Sequence, residues 1–225
     1  MIKYIENKIR LNSPLGLHKS FWIWNKNFLN FNNKKITKYL LKKEKEIINK
    51  FPSSGDGNTN LPNSLTSRYS HYNFFTYFKN PIKEIKIIKN FIKKNIKNLL
   101  DEFKIVNRKE LHILCWYNVL RKGQQISYHD HYNSSNATES FISGHFCVNT
   151  FNTSTFYQDV LKTYDIGIKN KIGELTLFPS YLPHWSDIHE GESPRISIAF
   201  DVYYSKNYVN QDFLKKNVVI PLNLT

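Results

Sequence analysis

Apolar positions along this chain change their spacing near residue 110. Before it, Ile36, Leu40, Ile47 and Phe51 stand among lysines at helical intervals, which predicts an amphipathic helix over residues 36–51 that Pro52 ends. Ile85, Ile88, Ile92, Ile96, Leu99 and Phe103 then recur at steps of three and four. They predict a second helix, with Pro81 placed at its first helical position, where a missing N–H is harmless. From Leu111 the texture becomes that of strands. Runs over 111–120, 126–131, 141–150, 155–158, 174–178 and 195–204 are separated by turn formers, the pattern of a sandwich or barrel. Ahead of the first helix, Phe21, Trp22, Trp24, Phe28 and Phe31 make the N-terminal stretch too apolar for a loose tail, so it is expected to pack across the core. The fold class is therefore α+β, mainly β. Residues 1–110 would buttress a β core formed by residues 111–225, the whole making one compact domain.

Composition narrows this reading in three ways. A chain of 225 residues with 40% hydrophobic and 15% aromatic content has globular values, which excludes wholesale disorder. The formal charge of +14 would suit a polyanionic partner. Yet much of the excess (Lys34, Lys35, Lys42, Lys43, Lys45 and the series from Lys83 to Lys97) follows the polar faces of the predicted helices, so solvated faces are favoured over a nucleic-acid surface. Cys115 and Cys147 both lie in apolar runs, where a free thiol behaves as a small hydrophobe, and no disulfide framework is indicated. The first residues contain no long apolar segment, so neither a secretory signal nor a membrane span is expected, and an intracellular location follows. The turn-former cluster at 53–64 lacks the Lys-Ser/Thr of a phosphate-binding loop and receives no nucleotide role.

Candidate chemistry gathers between Gly123 and Ser197. His129 and His131 stand two apart in a strand-like run, so both imidazoles leave one face while Asp130 points the other way. That is a chelate spacing. A third imidazole, His184, brought in by an antiparallel neighbour, would complete a facial set of three with positions left open. Iron, manganese, nickel, copper and zinc all accept neutral imidazole, so the donors alone do not select the metal. Asp130 could replace His131 only if the strand bulged there. The plain alternative is that these are ordinary surface histidines. His112, His145 and His189 carry no assigned role, and His189, in the polar run 186–191, is expected to meet solvent. The motif holds neither paired carboxylates nor a Ser or Cys nucleophile beside a base, which argues against hydrolysis by those devices.

Taken together, Trp116-Tyr-Asn118, Gly123, His129-Asp-His131, Ser143-Gly144, Gly173 to Ser180, His184 and Arg195-Ile-Ser197 through Phe200 resemble the 2-oxoglutarate/iron(II)-dependent oxygenases, over Leu111 to about Tyr204. The chain differs from the superfamily's usual His-x-Asp or His-x-Glu in having His131 as the second member. The resemblance implies a double-stranded β-helix core of jelly-roll or cupin type. It implies a metal site at His129, His131 and His184 that takes iron(II), with 2-oxoglutarate as cosubstrate and oxygen as oxidant. Arg195 and Ser197, two apart on one strand face, would then hold the distal carboxylate of 2-oxoglutarate, since a guanidinium binds carboxylate bidentately. Asn118 and Trp116 would line the same pocket. The reaction implied is a hydroxylation with release of succinate and carbon dioxide, and the loop Tyr132–Glu139 would border the pocket entrance. Two rivals stand beside it: a three-His cupin, dioxygenase or isomerase, that needs neither Arg195 nor Ser197, and a non-catalytic jelly-roll binding protein. The substrate is left open.

Overall fold

In a computed structural model of the chain, residues 2–6, 20–28, 31–53, 55–61, 63–105, 110–133, 138–158, 165–206, 209, 211–216 and 218–224 are described. The middle of the expected entrance loop, residues 134–137, lies outside them, as do residues 7–19 of the aromatic N-terminal stretch.

The larger of two antiparallel sheets takes in β1 (Ile2–Glu6), β2 (Ser20–Asn27), β3 (His112–Leu120), β4 (Tyr132–Asn133), β5 (Thr138–Asn149), β8 (Glu174–Pro179), β10 (Arg195–Tyr203) and β11 (Val219–Pro221). Their order is β1-β2-β8-β5-β10-β3-β11, with β4 paired to β5 alone. The smaller sheet, in the order β7-β6-β9, holds β6 (Ser154–Gln158), β7 (Asp165–Lys169) and β9 (His184–Ser186). Helices α1 (Asn33–Lys50) and α2 (Lys83–Glu102) pack on the larger sheet, and a short α3 (Gln211–Lys215) precedes β11. Among the described residues, no helix is long and apolar enough to cross a membrane.

Alternation along β10 divides the molecule. Ile196, Ile198, Phe200 and Val202 join the main core with the helices, while Arg195, Ser197, Ala199, Asp201 and Tyr203 line a cavity on the other face. Period-two side-chain direction is the cause. On the helix side, Ile85, Ile88, Ile92, Ile96 and Leu99 of α2 are fully buried, as are Ile36, Leu40 and Ile47 of α1. Each such side chain is worth about 1.5–3 kcal/mol relative to exposure. Asn32 caps α1 by accepting from Lys35 N–H at 3.0 Å, and Arg121 at the end of β3 grips the buried Glu44 of α1 bidentately at 2.9 and 2.8 Å. In β5, Gly144 is needed by close approach: a Cβ there would stand 2.6 Å from the Phe200 ring and 2.7 Å from a Leu177 methyl.

The N-terminal aromatics do pack across the core, and they do so as a strand. β2 pairs with β8 from Trp24↔Leu177 to Asn27↔Glu174; its Trp22 and Trp24 lie against the main core, while Phe21 and Ile23 join Tyr157, Phe178 and Leu182 in a second cluster. Two local expectations need correction. Pro81 is not the first helical residue of α2; Ile82 is the N-cap, so Pro81 lies one residue outside. Nor do residues 126–131 form a regular strand, because they meet β9 at a single bridge, His129↔His184. The ladder stops there for a local reason: the turn between Pro179 and His184 diverts the partner chain, and His131 N–H donates instead to Ser180 O at 3.0 Å.

Candidate metal centre

His129, His131 and His184 converge in the cavity between the two sheets, each offering a ring nitrogen within 4.8 Å of the others'. Ring centroids are 4.3 Å apart for His129 and His184, and 5.1 Å apart for the other two pairs. The backbone provides this arrangement. His129 and His184 exchange main-chain hydrogen bonds across the bridge, and His131 follows two residues on, held by Ser180. Asp130 is exposed and lies outside the three-residue group, though it touches the cavity.

The δ nitrogens show which atoms remain for a ligand. His129 Nδ1 lies 2.7 Å from Ser127 O and His184 Nδ1 lies 3.1 Å from Leu182 O. A carbonyl can only accept, so both rings carry their proton on Nδ1 and leave the Nε2 lone pair free. His131 Nδ1 is 2.6 Å from the carboxylate of Asp201, and its Nε2 is buried without a hydrogen-bond partner among the described residues. Burial, helped by the neighbouring imidazole, lowers the His129 pKa to about 4 and holds His184 well below the usual histidine range. For His131, burial acts in the same direction but the Asp201 carboxylate outweighs it, and the net shift is upward. Three converging imidazoles, two with their Nε2 atoms oriented by carbonyls and one with an orphaned Nε2, form a donor set that fits a divalent metal ion.

The cavity measures about 390 Å³ and also takes in Trp116, Asn118, His145, Arg195 and Ser197. Arg195 is 5% exposed, and its Nε and Nη1 have no hydrogen-bond partner among the described residues. Burial lowers its pKa, but from a value so high that the group stays charged. The Ser197 hydroxyl accepts from Asn118 Nδ2 at 3.5 Å, and Asn118 Oδ1 accepts from Thr66 at 2.9 Å. Sequence reasoning thus singled out residues that share one cavity, although it did not see part of the turn-former cluster reaching them: Gly57 and Asn58 line the cavity, and Asn58 O accepts from Ser127 N–H at 2.7 Å.

Three further polar residues were missed. Asp201 could have been found by extending the period of two from Arg195 and Ser197, since it is an acid on the inward face of an otherwise apolar strand. Tyr157 carries a buried hydroxyl without a hydrogen-bond partner among the described residues, close enough to Arg195 to feel its charge; nothing in an alternating five-residue strand signals that. His145 lines the cavity, and burial together with Arg195 lowers its pKa to about 3. His189 contradicts the expectation of solvent contact. It is fully buried, with Nε2 2.7 Å from Ser193 O, and its backbone binds residues 123 and 124, which anchor the run leading to the histidines.

Residues 114–201 match the family model described as "Putative 2OG-Fe(II) oxygenase". The stretch lies within the β core and is similar to that family. Its members are oxidoreductases, and the family implies iron(II), 2-oxoglutarate and oxygen. The structure of a Pseudomonas putida prolyl-4-hydroxylase is similar at a TM-score of 0.51, with 8% identity over 80% of this chain and 91% of that one. A Trichoplax adhaerens prolyl hydroxylase, solved in complex with a hypoxia inducible factor oxygen degradation domain peptide fragment, gives 0.51 and 13% over 83% and 85%. At such identities the likeness establishes the fold, the double-stranded β-helix of 2-oxoglutarate oxygenases. No curated protein sequence matches the chain.

Proposed function

We propose that His129, His131 and His184 hold one iron(II), and that Arg195 with Ser197 anchors the distal carboxylate of 2-oxoglutarate. On this reading a small molecule or a side chain is hydroxylated, with release of succinate and carbon dioxide. The observation that carries the proposal is the guanidinium of Arg195, buried in the cavity with Nε and Nη1 unpartnered among the described residues. A buried charge without a counter-ion or full hydrogen bonding costs several kcal/mol, so such a group is built to meet an anion. A three-His cupin that does not use 2-oxoglutarate gives no reason for that group.

Within the cavity each protein group has a separate task. His129 and His184, their pKa values lowered by burial, present Nε2 lone pairs already deprotonated at neutral pH, which spares the metal a competition with protons there. The planar fork of Arg195 fixes a carboxylate in one orientation, and Ser197, on the same strand face, supplies a hydroxyl. Behind the lining, Tyr157 holds a buried hydroxyl near the guanidinium that has no hydrogen-bond partner among the described residues. When bound, iron(II) would supply oxygen activation coupled to the oxidative decarboxylation of 2-oxoglutarate.

The test is succinate formation by the purified protein with iron(II), 2-oxoglutarate and ascorbate, over pooled amino acids, metabolites and peptides. Proline-containing peptides belong in the pool because two of the structural neighbours are prolyl hydroxylases. Substrate-stimulated succinate that disappears in Arg195→Ala is the expected outcome. Substrate oxidation without any 2-oxoglutarate requirement would favour the cupin.

A further inference from the structure

The three imidazoles differ in what stands behind them. Those of His129 and His184 donate to main-chain carbonyls two residues back, Ser127 O and Leu182 O. His131 instead meets a carboxylate delivered by another strand: Asp201 Oδ1 lies 2.6 Å from its Nδ1. A carbonyl would suffice to fix a tautomer, as it does for the other two rings, so orientation alone does not account for an acid buried at this point.

The acid is also held in place. Ser143 Oγ donates to the same Asp201 Oδ1 at 2.7 Å and lies 2.9 Å from Ser180 Oγ, while Ser180 O accepts from His131 N–H at 3.0 Å. His131, Asp201, Ser143 and Ser180 thereby close a ring of hydrogen bonds that ties the imidazole and its own backbone to β10, β5 and the end of β8. Asp201 is 6% exposed, Ser143 1% and Ser180 0%, so water does little to weaken the ring.

A site of two histidines and one carboxylate gives a divalent metal one anionic protein ligand. Three neutral imidazoles give it none. We infer that Asp201 returns this missing charge through His131, one hydrogen bond removed from the metal, and so acts as a positioning residue that makes His131 the strongest donor of the three. The inference rests on the reading of the three histidines as metal ligands. A carboxylate accepting from the far nitrogen of a ligating histidine fixes the ring and raises its basicity, and loss of such a partner typically costs 10–100-fold in metal affinity.

The experiment is a cobalt(II) titration of chelator-stripped protein at pH 8 against a competing chelator, following the visible cobalt absorption. It compares wild type with Asp201→Asn, Asp201→Ala and His184→Ala, with thermal unfolding of each metal-free protein as a control for folding. Asn keeps the shape and an oxygen facing Nδ1 while removing the charge. Asp201→Asn is expected to weaken cobalt binding about tenfold or more and to shift the absorption, with Asp201→Ala weaker still. Cobalt binding by Asp201→Asn within twofold of wild type, with an unchanged spectrum, would overturn the inference and leave the metal reading standing. If His184→Ala binds cobalt as tightly as wild type, the metal reading itself fails and the inference goes with it. Should Asp201→Asn not fold, Ser143→Ala takes its place. It strips one donor from the same carboxylate oxygen, and a cobalt spectrum identical to that of wild type would then count against the inference.

Discussion

His129 and His184 exchange two backbone hydrogen bonds, His129 N–H to His184 O at 3.1 Å and His184 N–H to His129 O at 2.8 Å. Directly opposed residues of an antiparallel pair present their side chains on one face, so the two imidazoles are brought together by main-chain bonding alone. The chelate exists before any metal arrives. Replacing either residue with Ala leaves those backbone bonds in place, so the apo fold should survive while metal is lost. We expect His129→Ala, His131→Ala and His184→Ala each to lose more metal affinity than the 10–100-fold typical of an outer-shell partner. Asp130→Ala should retain it. Metal content after purification without chelator, with circular dichroism as control, is the check; full occupancy in any of the three histidine variants would contradict the assignment.

Tyr157 offers a test in which stability and ligand affinity move independently. Its hydroxyl is buried and unsatisfied in the ligand-free protein, so Tyr157→Phe should be neutral or mildly stabilising there. If that hydroxyl donates to the cosubstrate beside Arg195, the same change should weaken 2-oxoglutarate binding by about 1 kcal/mol, close to fivefold. Calorimetric titration and thermal unfolding of the same two proteins decide it. Unchanged affinity would remove Tyr157 from the pocket's chemistry.

His145 predicts a pH dependence. Its folded pKa is lowered to about 3 by burial and by Arg195, whereas in the unfolded chain it sits near 6.5. As pH falls below about 6 the unfolded state gains a proton that the folded state refuses. Stability therefore drops with falling pH and is recovered as pH rises toward 6.5. One excluded proton is worth about 1.4 kcal/mol per pH unit. Urea unfolding of chelator-treated protein between pH 6 and 4 should show a slope shallower by about that amount in His145→Gln. An equal slope in both proteins would mean that His145 charges in the fold.

Gly144→Ala should cost about 1–3 kcal/mol in stability, because the new methyl meets Phe200, Leu177 and the Thr176 carbonyl inside a packed core. Gly144 turns away from the histidines in register terms, so cosubstrate affinity of the folded protein should change little. Denaturant midpoints and a 2-oxoglutarate titration at low temperature measure the two effects separately.

What the sequence disclosed followed from periodicity. Spacing of two marked His129 with His131 and Arg195 with Ser197, and steps of three and four marked α2, because side-chain direction is local geometry. Partners supplied by the other side of a sheet leave no local trace. The pairing of Asp201 with His131 crosses 70 residues and that of Thr66 with Asn118 crosses 52. β2 was hidden because both of its faces are buried against different clusters, so Phe21, Trp22, Ile23 and Trp24 read as a continuous apolar run. His189 was misplaced for the opposite reason: its neighbours are polar, yet the chain folds it inward to bind Ser193.

The central claim, that this cavity holds iron(II) and 2-oxoglutarate together, is met most directly by titrating 2-oxoglutarate into the anaerobic iron(II) protein and following the metal-to-ligand absorption band. Wild type should develop the band with saturable affinity. Arg195→Ala should retain iron but bind 2-oxoglutarate more weakly by about 2–5 kcal/mol, the usual cost of removing one partner of a buried charge pair, and Arg195→Lys should recover part of the loss because a point charge lacks the bidentate fork. Ser197→Ala should show the same loss in milder form, one hydrogen bond being worth less than the ion pair. A wild-type protein that binds iron and shows no band, or an Arg195→Ala variant that titrates like wild type, would contradict the account.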